Sequence, residues 1–283
     1  MEDTVAGMMA LGFSRMEAEV YTALCRQSPM TGYRVAQAIG KPVANTYKAI
    51  EALRNKGAVL VDDGASRLCR VVPPAEFFGG LERRFHEQKE SVTRALSEVA
   101  HPENDTRIYQ LGAAEQVLER CRSMLQNCKE VALLDIFPLP LEVLRSEMEQ
   151  AAARGVLVAA KVYAPAKIPG VEIALHPQGR STQKRWPGQW VNIVVDGAEH
   201  LLGFLTADIR AVHQAVWSGS PYLSWVYHCG LSSEIILAAL LPLIEKGAAS
   251  RELQKVLRRY RQIPALQSAG YKKLVKQFKG DSR

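Results

Sequence analysis

FSRMEAEVYTALCRQSPMTGYRVAQAIGKPVANTYKAIEALRNKGAVLVDDGASRLCRVVP, residues Phe13–Pro73, decides the architecture of the N-terminal part of this chain. Ser14 followed by Glu17 is a capping box, and it opens a helix whose apolar face runs through Val20, Tyr21 and Leu24. Thr31 offers a second N-cap, and Tyr33, Val35, Ala36 and Ile39 make a short helix that Gly40 stops. Pro42 starts a third helix with an inner stripe of Thr46/Tyr47, Ile50 and Leu53/Arg54, ending at Lys56-Gly57. Two extended runs follow, Ala58–Val61 and Arg67–Val72, joined through Asp62, Asp63, Gly64, Ala65 and Ser66. Asp-Gly between alternating apolar runs signals a hairpin. Three helices and then a hairpin are the order of a winged helix-turn-helix.

That order carries a geometric expectation. The turn Gly40-Lys41-Pro42 holds the third helix off the body, so its N-terminal half can enter a major groove with its free amides toward phosphate. Lys41, Ala44, Asn45 and Lys48 fall on the outer side, with Pro42 and Thr46 beside them. Asn45 suits adenine edges, and Lys41 or Lys48 suits guanine or phosphate. Ser66, Arg67 and Arg70 at the hairpin are candidates for backbone or minor-groove contact. The bland alternative is ordinary solvated charge on a module that binds protein instead of DNA.

Composition narrows the class. A chain of 283 residues with 47% hydrophobic and 23% charged side chains suits two globular domains. No apolar run reaches the roughly 18 residues that a membrane span needs, and Glu2 and Asp3 do not make a signal peptide's cationic start. Membrane partnership is therefore not expected. Five scattered cysteines (Cys25, Cys69, Cys121, Cys128, Cys229) with no CxxC spacing fit a reducing cytoplasm, with no zinc site. The alternative for a single thiol is redox sensing. The net charge of +7 is placed unevenly: residues 246–283 hold eleven basic and two acidic residues, and residues 1–73 hold nine and seven. This basic tail reads either as a phosphate-contacting arm or as an amphipathic helix with Leu253, Val256, Leu257 and Tyr260 turned inward.

After Pro73-Pro74 a long helix is expected to 101. Its seam steps through Phe78, Leu81, Phe85, Gln88, Val92, Ala95 and Val99 in heptad spacing, with a charged outer face. About 25 helical residues give a rod of roughly 37 Å, near one turn of B-DNA. Phe78, Leu81, Phe85, Val92 and Val99 are the expected dimer contacts, in a coiled coil that sets two third helices about one turn apart. The alternative is a helix packed only on its own chain.

His101-Pro102-Glu103-Asn104-Asp105 breaks the pattern, and alternation of strands and helices follows. Strands are expected at Arg107–Leu111, Glu130–Ile136, Val156–Val162, Val171–Leu175, Trp190–Val195, His200–Leu205 and Ala211–Trp217. Helices are expected at Ala113–Asn127, Glu142–Arg154 and Tyr222–Glu245, the last with Pro242 inside it. Alternation implies a mostly parallel sheet covered by helices. The resulting fold class is α+β, with a winged helix-turn-helix (1–73), a dimerising linker helix (74–101), an α/β domain (106–245) and a basic helical tail (246–283).

The arrangement as a whole resembles the TrmB family of transcriptional regulators, which includes sugar-responsive members. The residues carrying the resemblance are Gly40, Pro42, Tyr47, Leu53 and Lys56-Gly57, then Trp190–Gly197 and Ala215-Val216-Trp217-Ser218. The resemblance implies a second domain similar in fold to phospholipase D that binds an effector, while double-stranded DNA and a homodimer are the partners expected from the helix-turn-helix and the heptad seam. Phospholipase D enzymes need His-x-Lys-x4-Asp. Aligned on Asp196, this chain has Gln189 and Val191 in place of His and Lys, which can neither attack nor clamp phosphate. No GxSxG, Walker A, GxGxxG or HExxH motif is present either, so no catalysis, cofactor or metal is expected. The expected effector residues are Asp135, Trp190, Asn192, Trp217, Trp225 and His228, with Trp186 nearby. Indole faces stack on flat or sugar ligands, while Asp and Asn take hydroxyls. Core packing is the alternative for each Trp. The rival functions are a non-specific DNA-coating protein that uses the basic tail, and a DNA-targeted phosphodiesterase.

Overall fold

The computed structural model describes residues 2–62, 64, 67–97, 105–261, 263 and 268–279, and the chain divides into two compact units, 1–101 and 102–283. In the first unit, α1 (Glu2–Ala10), α2 (Arg15–Arg26), α3 (Gly32–Ile39) and α4 (Val43–Asn55) surround a core of Val20, Leu24, Val35, Ile50 and Leu53. The strands β1 (Met30–Thr31), β2 (Val59–Val61) and β3 (Leu68–Val71) form an antiparallel sheet in the order β1-β3-β2. The sequence reading contained neither α1, which buries Val5 and Met8, nor the two-residue strand β1. Both are short, and β1 depends on pairing with a strand 37 residues further on, Met30 with Cys69 and Thr31 with Leu68.

Caps set the boundaries of these helices. Ser14 and Glu17 form the reciprocal capping box, Thr31 Oγ1 accepts the Arg34 amide at 3.3 Å, and Gly40 stops α3 at φ 64. Glu17 also meets Lys56 Nζ at 2.7 Å, tying the start of α2 to the end of α4. Burial pushes the Glu17 carboxyl up, but the Lys56 and Ser14 hydrogen bonds outweigh it and hold the pKa below the ordinary 4.5. A depressed pKa contributes stability that is present above pH 4.5 and is lost as pH falls through the folded value. Glu17→Gln is accordingly expected to cost about 1 kcal/mol at neutral pH and to flatten the acid-side loss, read by urea unfolding at pH 7 and pH 4.

α5 (Pro74–Ser97) leaves this unit as a 24-residue helix. Its first turns dock at home: Phe77 is buried, Phe78 and Leu81 pack against the unit's core, and Arg84 Nη2 donates to the Lys56 carbonyl at 3.1 Å. Phe78 and Leu81, expected in the seam, are thus half-buried against their own chain. Phe85 and Val92 remain 68% and 56% exposed, as does Leu96 one turn beyond Val92. Val99 lies outside the described residues.

The second unit is a seven-stranded sheet in the order β4-β10-β9-β8-β5-β6-β7. Its strands are β4 (Ile108–Gln110), β5 (Val131–Ile136), β6 (Leu157–Val162), β7 (Glu172–Leu175), β8 (Gly188–Val195), β9 (Glu199–Thr206) and β10 (Val212–Ser218). Only β5-β6 and β6-β7 pair in parallel, and the other four pairings are antiparallel, so the expected mostly parallel sheet is corrected to a mixed one. The helix Pro138–Ala153 is the crossover between the adjacent parallel strands β5 and β6, whereas β8, β9 and β10 follow one another through short turns. At the β8–β9 turn Asp196 and Gly197 adopt φ 53 and 59, the left-handed pair of a type I′ turn, closed by the Ala198 amide on the Val195 carbonyl at 3.0 Å.

α6 (Ala114–Asn127) and α7 (Pro138–Ala153) cover one face of the sheet, and α9 (Pro221–Glu245) covers the other; α8 (Gly179–Arg185) is a short helix before β8. β5 is buried on both faces: Ala132, Leu134 and Ile136 meet α6 and α7, while Val131 and Leu133 meet α9. α9 is long and apolar enough to cross a membrane by length and composition, correcting the reading that no segment is; 28% of its most apolar window is buried. The basic tail forms α10 (Ser250–Arg259) and α11 (Ala269–Lys279), and Tyr260 and Ile263 are buried against α9. Of the residues expected to turn inward there, Leu253 and Val256 are half-buried, but Leu257 is exposed.

Candidate functional site

In the first unit α4 presents Lys41, Pro42, Ala44, Asn45 and Lys48 to solvent. Pro42 stands at the N-cap and supplies no side-chain hydrogen bond, so the first amides of α4 stay free at its open end. Lys41 Nζ lies 3.4 Å from Glu19 Oε2, which draws it back toward α2. It also borders a cleft of about 580 Å³ that includes Arg15 and Ile39. Thr46 is corrected: it is fully buried, and its Oγ1 donates to the Pro42 carbonyl at 3.1 Å, so it braces the turn and faces no groove. Arg67 and Arg70 are exposed on the hairpin, Arg67 at φ 41; Ser66 lies outside the described residues.

One aromatic changes sides. Tyr47 and Arg54, placed in the inner stripe by spacing, are exposed, as is Tyr33 of α3; the buried face of α4 is Thr46, Ala49, Ile50 and Leu53. Tyr47 lies across the start of α3, where a Cβ on Gly32 would sit 2.6 Å from its ring. An aromatic spaced at the margin of an apolar stripe was the sequence signal for Tyr47.

In the second unit the expected effector residues separate into three groups. Asp135, Trp190 and Asn192 come together, because Asp135 faces the α9 side with Leu133 and pairs in register with Asn192. Asn192 Nδ2 donates to Asp135 at 3.3 Å and Tyr163 Oη donates to it at 2.9 Å, while Lys161 Nζ stands 3.4 Å away. Lys161 also pairs closely with Glu234 of α9. Trp190 packs on Phe137 and Tyr163, with ring centroids 4.0 and 5.1 Å apart, and exposed Trp186 stands edge-on to it. His176 stacks on Tyr163 at 5.1 Å and opens on a cleft of about 500 Å³ that also takes in Pro242, Arg259 and Tyr260. Burial pushes the Asp135 carboxyl above its ordinary range despite Lys161. Burial likewise lowers His176, with Lys161 adding to the effect.

Trp217 belongs elsewhere, which corrects its assignment. It packs against the α6 and α7 side, donates through Nε1 to Glu199 at 2.6 Å and carries Arg120 over its ring. Trp225 and His228 hold the tail instead: Trp225 faces Tyr271, and His228 Nε2 meets the Ile263 carbonyl at 2.6 Å. Lys161 and Tyr163 were missed, although a lysine inside the apolar run LVAAKV was a visible signal of a buried partner.

The phospholipase D positions have structural duties here. Val191 is fully buried, and Gln189 Oε1 accepts the Leu139 amide at 3.3 Å. The Asp196 carboxylate accepts the amides of Lys129, Glu130 and Val131 at 3.0, 2.8 and 2.9 Å, pinning the start of β5. Among the described residues no cluster of His, Cys, Asp and Glu has metal-ligand geometry.

Residues 8–75 match the family model described as sugar-specific transcriptional regulator TrmB. The chain is 24% identical over 256 residues to YrhO, an uncharacterised protein of Bacillus subtilis (strain 168), covering 89% of this chain and 86% of YrhO. A solved structure of TrmBL2, an archaeal chromatin protein with a novel mode of DNA binding, aligns with a TM-score of 0.38 and 16% identity, over 82% of this chain and 96% of that one.

Proposed function

We propose, on the match of residues 8–75 to the TrmB family model, that this chain is a cytoplasmic, homodimeric transcriptional regulator that binds duplex DNA sequence-specifically and loosens or tightens its grip when a small effector occupies the second unit. The observation that carries the proposal is the outer face of α4, where Ala44, Asn45 and Lys48 are exposed beside free helix amides. A helix end of this kind docks into a major groove with side chains on base edges and amides on phosphate. The exposed Phe85 and Val92 of α5 supply the coiled-coil contact between two copies.

The effector site is the Asp135, Trp190 and Asn192 cluster with its adjoining cleft, in a phospholipase-D-like domain turned from catalysis to binding. Carboxylate, amide and indole together suit a polyhydroxylated ligand such as a sugar. The parallel strands β5 and β6 end at this cluster, the position where open α/β sheets bind their ligands. Coupling of about 1–3 kcal/mol between the two units is enough for regulation.

Duplexes selected from a random-sequence pool by the full chain test the proposal, the expected product being a palindrome with half-sites about 10 bp apart. On that duplex Phe85→Asp is expected to weaken binding at least about tenfold while leaving a single half-site unaffected, because only the linked pair of contacts is lost. No enrichment over the starting pool would contradict the reading.

A further inference from the structure

α9 carries two stripes. Ser224, His228, Leu231, Ile235 and Ala238 step by four and three and face the sheet. On the opposite side Leu223, Val226, Gly230, Ser233, Leu237 and Leu240 step by three and four. Leu223, Val226 and Leu237 are 37%, 46% and 53% exposed, Gly230 and Ser233 are open to solvent, and Leu240 is half-buried. Among the described residues, α10 brings Val256 to the core against which Ile236 and Ala239 also pack, and α11 brings Tyr271 to Trp225. The helix holds two charged residues, Glu234 and Glu245, and Glu234 is neutralised by Lys161 of its own sheet. A solvated helix face of this length normally carries charge.

We propose that this stripe is a self-complementary seam on which α9 of a second copy packs antiparallel. Alternating steps of three and four match the spacing at which one helix meshes with another crossing at about 20°. In the antiparallel register Leu223 lies over the partner's Leu240, Val226 over the partner's Leu237, and Gly230 over the partner's Ser233. Large residues meet large ones toward both ends, and the smallest pair meets at the crossing point, where backbones must come closest. The two-fold axis makes the contact isologous. Charge agrees with this pairing, because each Glu245 falls beyond the N-terminal end of the opposite α9, the positive end of its dipole.

Area decides how the seam is used. A 25-residue helix is about 37 Å long, and a strip roughly 10 Å wide gives about 350 Å² per copy, near 700 Å² in total. That falls short of the ~1,200–2,000 Å² of a stable interface, so the seam adds to a second contact. The inference thus rests on the homodimer reading and assigns the second unit its share of it.

Sedimentation equilibrium of the full chain tests it. Val226→Lys and Leu237→Glu are each expected to raise the dissociation constant at least about tenfold, while the double variant, which makes two Lys–Glu layers in this register, returns to within about threefold of wild type. Recovery in the double variant rules out misfolding as the cause of the single effects. Unchanged single variants, or a double variant no better than the worse single, overturn the seam. So does flotation of the wild-type chain with phosphatidylcholine–phosphatidylglycerol vesicles that both single variants and the double variant abolish, since that assigns the stripe to a lipid surface. Should Phe85→Asp alone leave the dissociation constant unchanged while the α9 variants raise it, the α5 contact fails and the seam stands.

Discussion

Lys161→Met is expected to destabilise the second unit by about 3–5 kcal/mol at neutral pH, the largest single effect foreseen for this chain. Methionine keeps the length and apolar stem of lysine, so packing in β6 is preserved and the loss is electrostatic. Lys161 and Asp135 are both buried, 3.4 Å apart, and once the cation is gone the carboxylate is left to the Tyr163 and Asn192 hydrogen bonds, with no opposite charge beside it among the described residues. Burial already lifts the Asp135 pKa above its ordinary 3.8, and removal of Lys161 lifts it further. A group whose folded pKa is raised contributes stability that is complete below the unfolded value and lost as pH rises through the folded one. The variant is therefore expected to regain stability relative to wild type as pH falls from 7 toward 4. Asp135→Asn in the same background should recover part of the loss at pH 7, because it removes the stranded charge. Urea unfolding followed by tryptophan fluorescence reads all three, and a Lys161→Met chain as stable as wild type at both pH values would remove the buried pair from the account.

The two units were not equally legible in the sequence. Caps and stops are local chemistry, so Ser14 with Glu17, Thr31 and Gly40 marked their helices correctly. Element positions in the second unit were readable from alternation, but pairing direction was not. Strands β8, β9 and β10 are each long enough to be reached by a tight turn, and Asp196-Gly197 signalled that turn without revealing that antiparallel pairing prevails across most of the sheet. Sidedness was the weaker inference at the sites. Tyr47 and Thr46 are neighbours at the edge of one stripe, and their places follow from the room that Gly32, lacking a Cβ, leaves for the Tyr47 ring and from the Pro42 carbonyl that takes the Thr46 hydroxyl. The four tryptophans are close in sequence, yet Trp217 and Trp190 lie on strands whose parity sends them to different packing. Crowding along a chain does not fix which face of a sheet a residue takes.

The central claim is that the outer face of α4 reads bases, and Asn45 is the residue that isolates it. Its side chain is exposed and Asn45→Ala leaves the core untouched, so the fold is expected to survive. An amide making a paired hydrogen bond to one base carries about 1–3 kcal/mol of discrimination, or roughly 5- to 150-fold. Arg67, exposed on the hairpin, is the matched control: loss of a phosphate contact weakens binding to every sequence alike and flattens its dependence on salt. The direct measurement is the affinity of the wild-type, Asn45→Ala and Arg67→Ala chains for the selected palindrome and for random duplex at two salt concentrations. The account predicts that Asn45→Ala loses affinity on the palindrome alone and that Arg67→Ala loses it on both duplexes. Equal losses on both duplexes for Asn45→Ala, or none on either, would contradict it.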